Sequence, residues 1–163
     1  MPGTSKLRVI ADTNVWISRF ILPNSLAGQR LKRLAADKWI TLVFSQALKE
    51  KSRAVLQRPK FRKCLTAENL AVSRAHLNAF PTTPVTSVVE LCRDPIDNFL
   101  LNLALDRQAD YLLSGDEDLL VLGSVGSTSI MTLAEFAQQM GLDEQCPPPI
   151  AAAAEGNRSF CVT

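Results

Sequence analysis

Only one histidine, His76, occurs among the 163 residues, and it lies inside a predicted helix far from any suitable acid or nucleophile. Imidazole-based acid–base chemistry therefore has no partner, and His76 reads as structural. The four cysteines, Cys64, Cys92, Cys146 and Cys161, show no C-x-x-C spacing, so neither a zinc site nor a disulfide framework is indicated and free thiols are expected. No apolar run approaches the roughly 18 residues that a membrane-spanning helix needs. The polar start, Met1 to Lys6, leads into a predicted strand rather than the apolar core of a signal peptide, which makes the cytoplasm the expected compartment. Net charge is also low, at +2.

What is present is ordinary in amount and uneven in distribution. Apolar residues make up 47% and charged residues 21%, as in a soluble globular domain, and a chain of this length buries about 68–70% of its unfolded surface. Between Lys49 and Lys63 lie seven basic residues (Lys49, Lys51, Arg53, Arg58, Lys60, Arg62, Lys63) against one acid, Glu50. From Glu90 to Asp118 the balance reverses, with eight acids against Arg93 and Arg107. A basic flank beside an acidic cluster suits an enzyme that holds a polyanion and cuts it with a metal ion; two solvated helix faces would have the same composition.

The hydrophobic pattern alternates between strand and helix. Strands are predicted at Leu7–Ala11, Ile40–Phe44, Thr86–Val89, Tyr111–Leu113 and Ser129–Met131. Helices are predicted from about Val15 to Ile21 and Ser25 to Asp37, and from Ser45 to about Gln57 with Pro59 marking the end. A helix capped by Thr66 carries Leu70, Ala71, Leu77 and Phe80 inward, and a turn-rich link follows at Pro81 to Pro84. Asp94-Pro95 opens a helix reaching about Gln108, and Thr132 caps a last one that stops near Gly141. The alternation implies an α/β fold, a parallel-stranded central sheet with helices on both faces and right-handed crossovers. Residues 1–142 read as one domain and residues 143–163, rich in Pro and Ala, as a tail without a core of its own.

In open α/β sheets ligands sit beyond the carboxyl ends of the strands. Asp12 follows the first strand, Asp116 follows the Tyr111–Leu113 strand, and Asp97 lies in the first turn of the helix entered through Asp94-Pro95. Asp118 stands two residues after Asp116. Carboxylates crowded together repel by roughly 4 kcal/mol per pair at 4 Å and an effective dielectric of 20, so such a cluster calls for a cation or protons. Oxygen-only ligands select a hard ion, Mg²⁺ or Mn²⁺, and such an ion hydrolyses phosphodiesters without a nucleophilic side chain. An aspartyl-phosphate protein is the competing chemistry, but the phosphatase pattern wants an acid where Asn14 stands.

Four segments carry a family resemblance. They are Val9-Ile10-Ala11-Asp12-Thr13-Asn14-Val15, Val55-Leu56-Gln57-Arg58-Pro59-Lys60-Phe61, Cys92-Arg93-Asp94-Pro95-Ile96-Asp97-Asn98, and Ala109 through Leu119, which includes Ser114-Gly115-Asp116-Glu117-Asp118. In this order and spacing, Leu7 to about Met140 resembles the PIN-domain family, in particular its VapC-like toxin group. The resemblance implies a Mg²⁺- or Mn²⁺-dependent ribonuclease acting on single-stranded RNA, with Asp12, Asp97 and Asp116 as metal carboxylates and Asp118 assisting. It implies Asn14 and Ser114 as residues that position water or ligand, homodimers or higher assemblies, and inhibition by an antitoxin protein.

One position departs from the family pattern. A metal-site glutamate is expected four residues before Val55, where Lys51 stands, and Glu50 lies one residue early. At about 100° per residue, a helix with Leu48 and Val55 inward turns Lys51 to the same side and Glu50 almost opposite. Three readings follow: an irregular helix returns Glu50 to the catalytic set, the site works with one ion while Lys51 replaces another, or catalysis is weakened or lost and the chain is an RNA- or partner-binding module. Arg58 and Lys60, on either side of Pro59, are the candidates for RNA-backbone contacts.

Overall fold

The computed structural model describes residues 5–143. The predicted tail, apart from Asp143, lies outside the described residues. Asp143 itself is held to the body by both carboxylate oxygens, each 2.7 Å from the Arg30 guanidinium.

Seven strands and eight α-helices follow in the order β1 (Leu7–Ala11), α1 (Thr13–Ile21), α2 (Leu26–Ala36), β2 (Ile40–Leu42), β3 (Phe44–Ser45), α3 (Gln46–Leu56), α4 (Pro59–Arg62), α5 (Ala67–Ala79), β4 (Thr82–Thr83), α6 (Asn98–Arg107), β5 (Tyr111–Leu113), α7 (Glu117–Leu120), β6 (Ser124–Val125), β7 (Thr128–Met131) and α8 (Leu133–Met140). A 3-10 turn, Pro95–Asp97, precedes α6. The main sheet has the order β2-β1-β5-β7-β6, parallel except for the edge pair β6–β7. It is the expected α/β architecture, with a mostly parallel sheet flanked by helices. The strands are short apolar runs because both faces are covered: Val9, Ile10, Leu112 and Leu113 are fully buried. A ring cluster of Trp16, Phe20, Phe44 and Phe80 ties α1 to β3 and to the end of α5, with Phe44 stacked on Phe80 at 4.7 Å.

Local signals set most boundaries. Ser25, Ser45, Thr66 and Thr132 each accept a backbone N–H at the start of a helix, and Thr132 forms a reciprocal capping box with Glu135. Pro59 ends α3 and takes the first position of the one-turn α4.

Four expectations are corrected. The Ile40–Phe44 run is two strands, because after Val43 the chain leaves β1 and Phe44–Ser45 pairs in parallel with Thr82–Thr83. Thr86–Val89 is not a strand: Asp106 accepts the N–H groups of Thr86 and Ser87, and Asn102 accepts that of Val89. Side chains of α6 therefore satisfy this segment's backbone, and it joins no sheet. Ala71 is exposed, and the inward stripe of α5 is Leu70, Ser73, Leu77 and Phe80. Cys64 is disulfide-bonded, whereas Cys92 is a buried free thiol.

Candidate active site

The order β2-β1-β5 means that the chain leaves β1 in one direction to reach β2 and returns on the other side to lay down β5. The gap beyond the carboxyl ends of β1 and β5 is thus the topological switch point of the sheet, where open α/β folds bind ligands. Asp12 stands at the end of β1, its N–H bonded to the carbonyl of Leu113 at 2.9 Å, so the two strand ends are tied together there. The same residue caps α1, with Oδ1 accepting from Thr13 N at 2.6 Å. Its other oxygen accepts from the Ser114 hydroxyl at 2.9 Å, and that hydroxyl in turn accepts from Asp116 N at 3.0 Å. Asp116 caps α7 by accepting from Asp118 N at 3.0 Å. A continuous chain of hydrogen bonds thus runs from β1 to the start of α7.

Asp97 is buried at the end of the 3-10 turn. Its Oδ1 accepts from Lys51 Nζ at 2.8 Å, and the same ammonium lies 5.0 Å from the centre of the Phe99 ring. The electrostatics place these groups in one neighbourhood. Burial pushes the Asp12 carboxyl above its ordinary range, the Ser114 hydrogen bond and the Lys51 charge oppose the shift, and Asp97 adds to it. The Cys92 thiol is raised by burial and further by Asp97, Asp118 and Asp116, against a backbone hydrogen bond from Asp94.

The structure therefore brings Asp12, Ser114, Asp116 and Asp118 into one network and sets the Lys51–Asp97 pair beside Asp12. Asn14 is exposed in the first turn of α1. Glu50 is not brought in: it is exposed, and its Oε1 accepts from Gln46 Nε2 at 2.9 Å. Regular helical geometry in α3 gives Lys51, and not Glu50, to the aspartates. The basic flank shrinks as well, since Lys49 is buried and donates to the Phe80 carbonyl, and Arg53 donates to Asn78 at 2.6 Å. Arg58, Lys60, Arg62 and Lys63 remain exposed.

Three contributors escaped sequence reasoning. Asn98 is buried and accepts from Cys92 N at 2.9 Å, fixing the loop that delivers Asp97. The Cys92 thiol donates to the Asp118 carbonyl at 3.8 Å, joining that loop to α7. The Thr13 hydroxyl, buried next to Asp12, has no hydrogen-bond partner among the described residues. All three lie in the segments that carry the family resemblance, and Asn98 and Thr13 each directly follow an aspartate of the site, but neither signal gives them a role.

The donors fit a hard divalent ion in kind, being carboxylate oxygens with an unpartnered hydroxyl beside them. Among the described residues, no three His, Cys, Asp or Glu side chains are grouped so as to hold a metal ion, and Lys51 supplies a positive charge at Asp97 instead.

A PIN domain profile matches residues 8–118, which span every carboxylate of the cluster. The chain belongs to the PIN domain family. PIN domains are generally nucleases, which implies a nucleic acid as the substrate class. The PIN domain is also similar to an uncharacterized protein of the archaeon Methanocaldococcus jannaschii, 35% identical over 121 residues, 72% of this chain and 76% of that protein. No solved structure gives a significant match. No helix among the described residues is long and apolar enough to cross a membrane.

Proposed function

We propose that this PIN domain is a metal-dependent endoribonuclease that cleaves single-stranded RNA, with Asp12, Asp97 and Asp116 as the carboxylates that hold Mg²⁺ or Mn²⁺ and Asp118 assisting. The observation that carries the reading is the gathering of Asp12, Ser114 and Asp116 into one hydrogen-bonded network at the switch point, beside buried Asp97. When bound, such an ion activates water and neutralises charge on the leaving oxygen. The chain's own residues fix the stage. Ser114 and Thr13 N orient Asp12, Asp94 and Asn98 hold the turn that presents Asp97, and Lys51 offsets one negative charge permanently. That last feature favours one ion, with the ammonium standing in for a second. Asn14 remains a candidate for positioning water or ligand. The toxin role, a cognate antitoxin partner, a homodimer or higher oligomer and a cytoplasmic location complete the proposal.

The test is cleavage of single-stranded RNA with Mn²⁺ or Mg²⁺. Asp12→Asn and Asp97→Asn should each lower the rate at least about 100-fold, since even outer-shell partners of metal ligands are worth 10–100-fold, and chelator should abolish it. Cleavage that survives chelator and both substitutions refutes the proposal.

A second reading has its own observation. Lys51 Nζ sits 2.8 Å from Asp97 Oδ1, where it competes directly with an ion, and this suits a PIN-fold RNA- or partner-binding module with weakened or lost catalysis. In that case RNA binding is indifferent to chelator, and Lys51→Glu creates Mn²⁺ binding, read by calorimetry, that the parent lacks. Binding of one Mn²⁺ by the parent chain rejects this second reading.

A further inference from the structure

α1 links the carboxylate cluster to a second feature of the surface. Arg19 lies seven residues beyond Asp12, about 10 Å farther along the axis at 1.5 Å per residue. There a cavity of about 220 Å³ opens between α1, the α1–α2 turn, α2 and α5. Its polar lining is Arg19, Lys32, Asn69 and His76, and its apolar wall is Phe20 and Val72. No carboxylate among the described residues lines it. Among the described residues neither Arg19 nor Lys32 has a carboxylate in ion-pair range. Arg19 instead stacks on Trp16 and Phe20, with Cζ 5.6 and 5.7 Å from the ring centres. Holding a partly buried guanidinium by ring faces alone leaves its N–H donors for an outside acceptor.

The cavity is also shaped for its lining. Gly28 forms part of its wall, and a Cβ there would lie 2.3 Å from the Leu22 carbonyl oxygen and 2.9 Å from that of Pro23. Only glycine lets α2 pack this closely on the turn that brings Arg19 and Lys32 together. His76 tilts against Phe20 with ring centres 5.7 Å apart, and burial and the Arg19 charge lower its pKa. At neutral pH it therefore offers one N–H and one acceptor rather than a third positive charge.

We propose that this cavity is a second, non-catalytic binding site for a phosphate ester, with Arg19 and Lys32 on the phosphate oxygens, Asn69 and His76 as neutral hydrogen-bonding partners, and Phe20 and Val72 against the ester's organic part. Two cations without a carboxylate select an anion, and the Arg19 fork matches phosphate geometry. The volume falls below the about 300–1,000 Å³ of pockets that enclose a whole drug-sized ligand, so the cavity takes a phosphate with part of its nucleoside. Two sources share this chemistry, the terminal phosphate of a free nucleotide and a backbone phosphodiester of an RNA strand.

Because His76 is the single histidine of the chain, its imidazole C2 proton gives one unambiguous NMR reporter inside the cavity. The full-length protein is titrated with inorganic phosphate, with adenosine monophosphate and with a short oligoribonucleotide. Chelator is present throughout, so metal-dependent cleavage plays no part and failure of the nuclease reading leaves this test intact. A saturable shift with phosphate or the mononucleotide identifies the free nucleotide. Saturation with the oligonucleotide alone identifies the strand. Either supports the site when Lys32→Ala, an exposed position, weakens binding about tenfold and Arg19→Gln does so by a similar factor. A shift that stays linear for every probe, or saturation that both variants leave unchanged, overturns the proposal.

Discussion

Gly28 shows how a single atom can reverse a general preference. In most helix interiors Gly→Ala stabilises by up to about 1 kcal/mol. In α2 the new methyl would meet the Leu22 carbonyl at 2.3 Å, a backbone atom that cannot rotate away. Overpacking of this kind costs about 1–3 kcal/mol, which outweighs the propensity gain. Gly28→Ala should therefore lower the urea midpoint and the melting temperature, and an unchanged or raised midpoint would contradict the close approach. At the residue scale the period of α3 was legible in the sequence: it turns Lys51 toward Asp97 and Glu50 outward, as the structure has them. Asp12, Asp97 and Asp116 stood out as candidates because each follows a strand or opens a helix that presents its side chain. Lys49 was illegible at this scale. Its partner is the carbonyl of Phe80, 31 residues away, and no local pattern marks a lysine that is to be buried.

Among the elements, those with their own caps were legible and those completed by distant side chains were not. The α2, α3, α5 and α8 starts all follow a Ser or Thr cap, and the strands β1 and β5 are bounded apolar runs. The Thr86–Val89 stretch has the composition of a strand, yet its hydrogen bonds go to Asp106 and Asn102 of α6, 13–20 residues ahead. The short parallel pair β3–β4 exists only because tertiary contacts bring its partners together, whereas β6–β7 is a local hairpin closed over Gly126-Ser127. Asp106 gives this a pH signature. Hydrogen bonds from Ser87 and Thr86 hold its carboxyl below the ordinary value, so the folded state binds its proton less readily than the unfolded chain. The stability it contributes is present above the unfolded value of about 3.9 and is lost as pH falls through the lower folded value. Protection of the Thr86 and Ser87 amides, taken relative to their intrinsic exchange at each pH, should fall in the parent as pH drops below about 4, whereas Asp106→Ala should lack that protection at every pH. Protection that is indifferent to acid would show that these N–H groups do not depend on the carboxylate.

At the scale of the whole molecule, the topology concentrates negative charge at the β1–β5 switch point and leaves exposed positive charge on Arg58, Lys60, Arg62 and Lys63 around α4. On the proposed reading the first would hold an ion and the second would attract the polyanion. If the α4 residues contact the backbone of single-stranded RNA, each neutralised phosphate contributes about −0.7 to the slope of log K against log salt, so four contacts give a slope near −3. Measured in chelator, Arg58→Ala and Lys60→Ala should each make that slope shallower by about 0.7 and weaken binding to different sequences about equally. Lys49 provides the internal control: it counts among the basic residues of the same sequence stretch, but it is buried and bonded to a carbonyl, so Lys49→Met should leave the slope unchanged. A slope that responds to Lys49 and not to Arg58 and Lys60 would place the RNA elsewhere on the molecule. The slope thus separates basic residues that are merely near one another in the chain from those the fold exposes together.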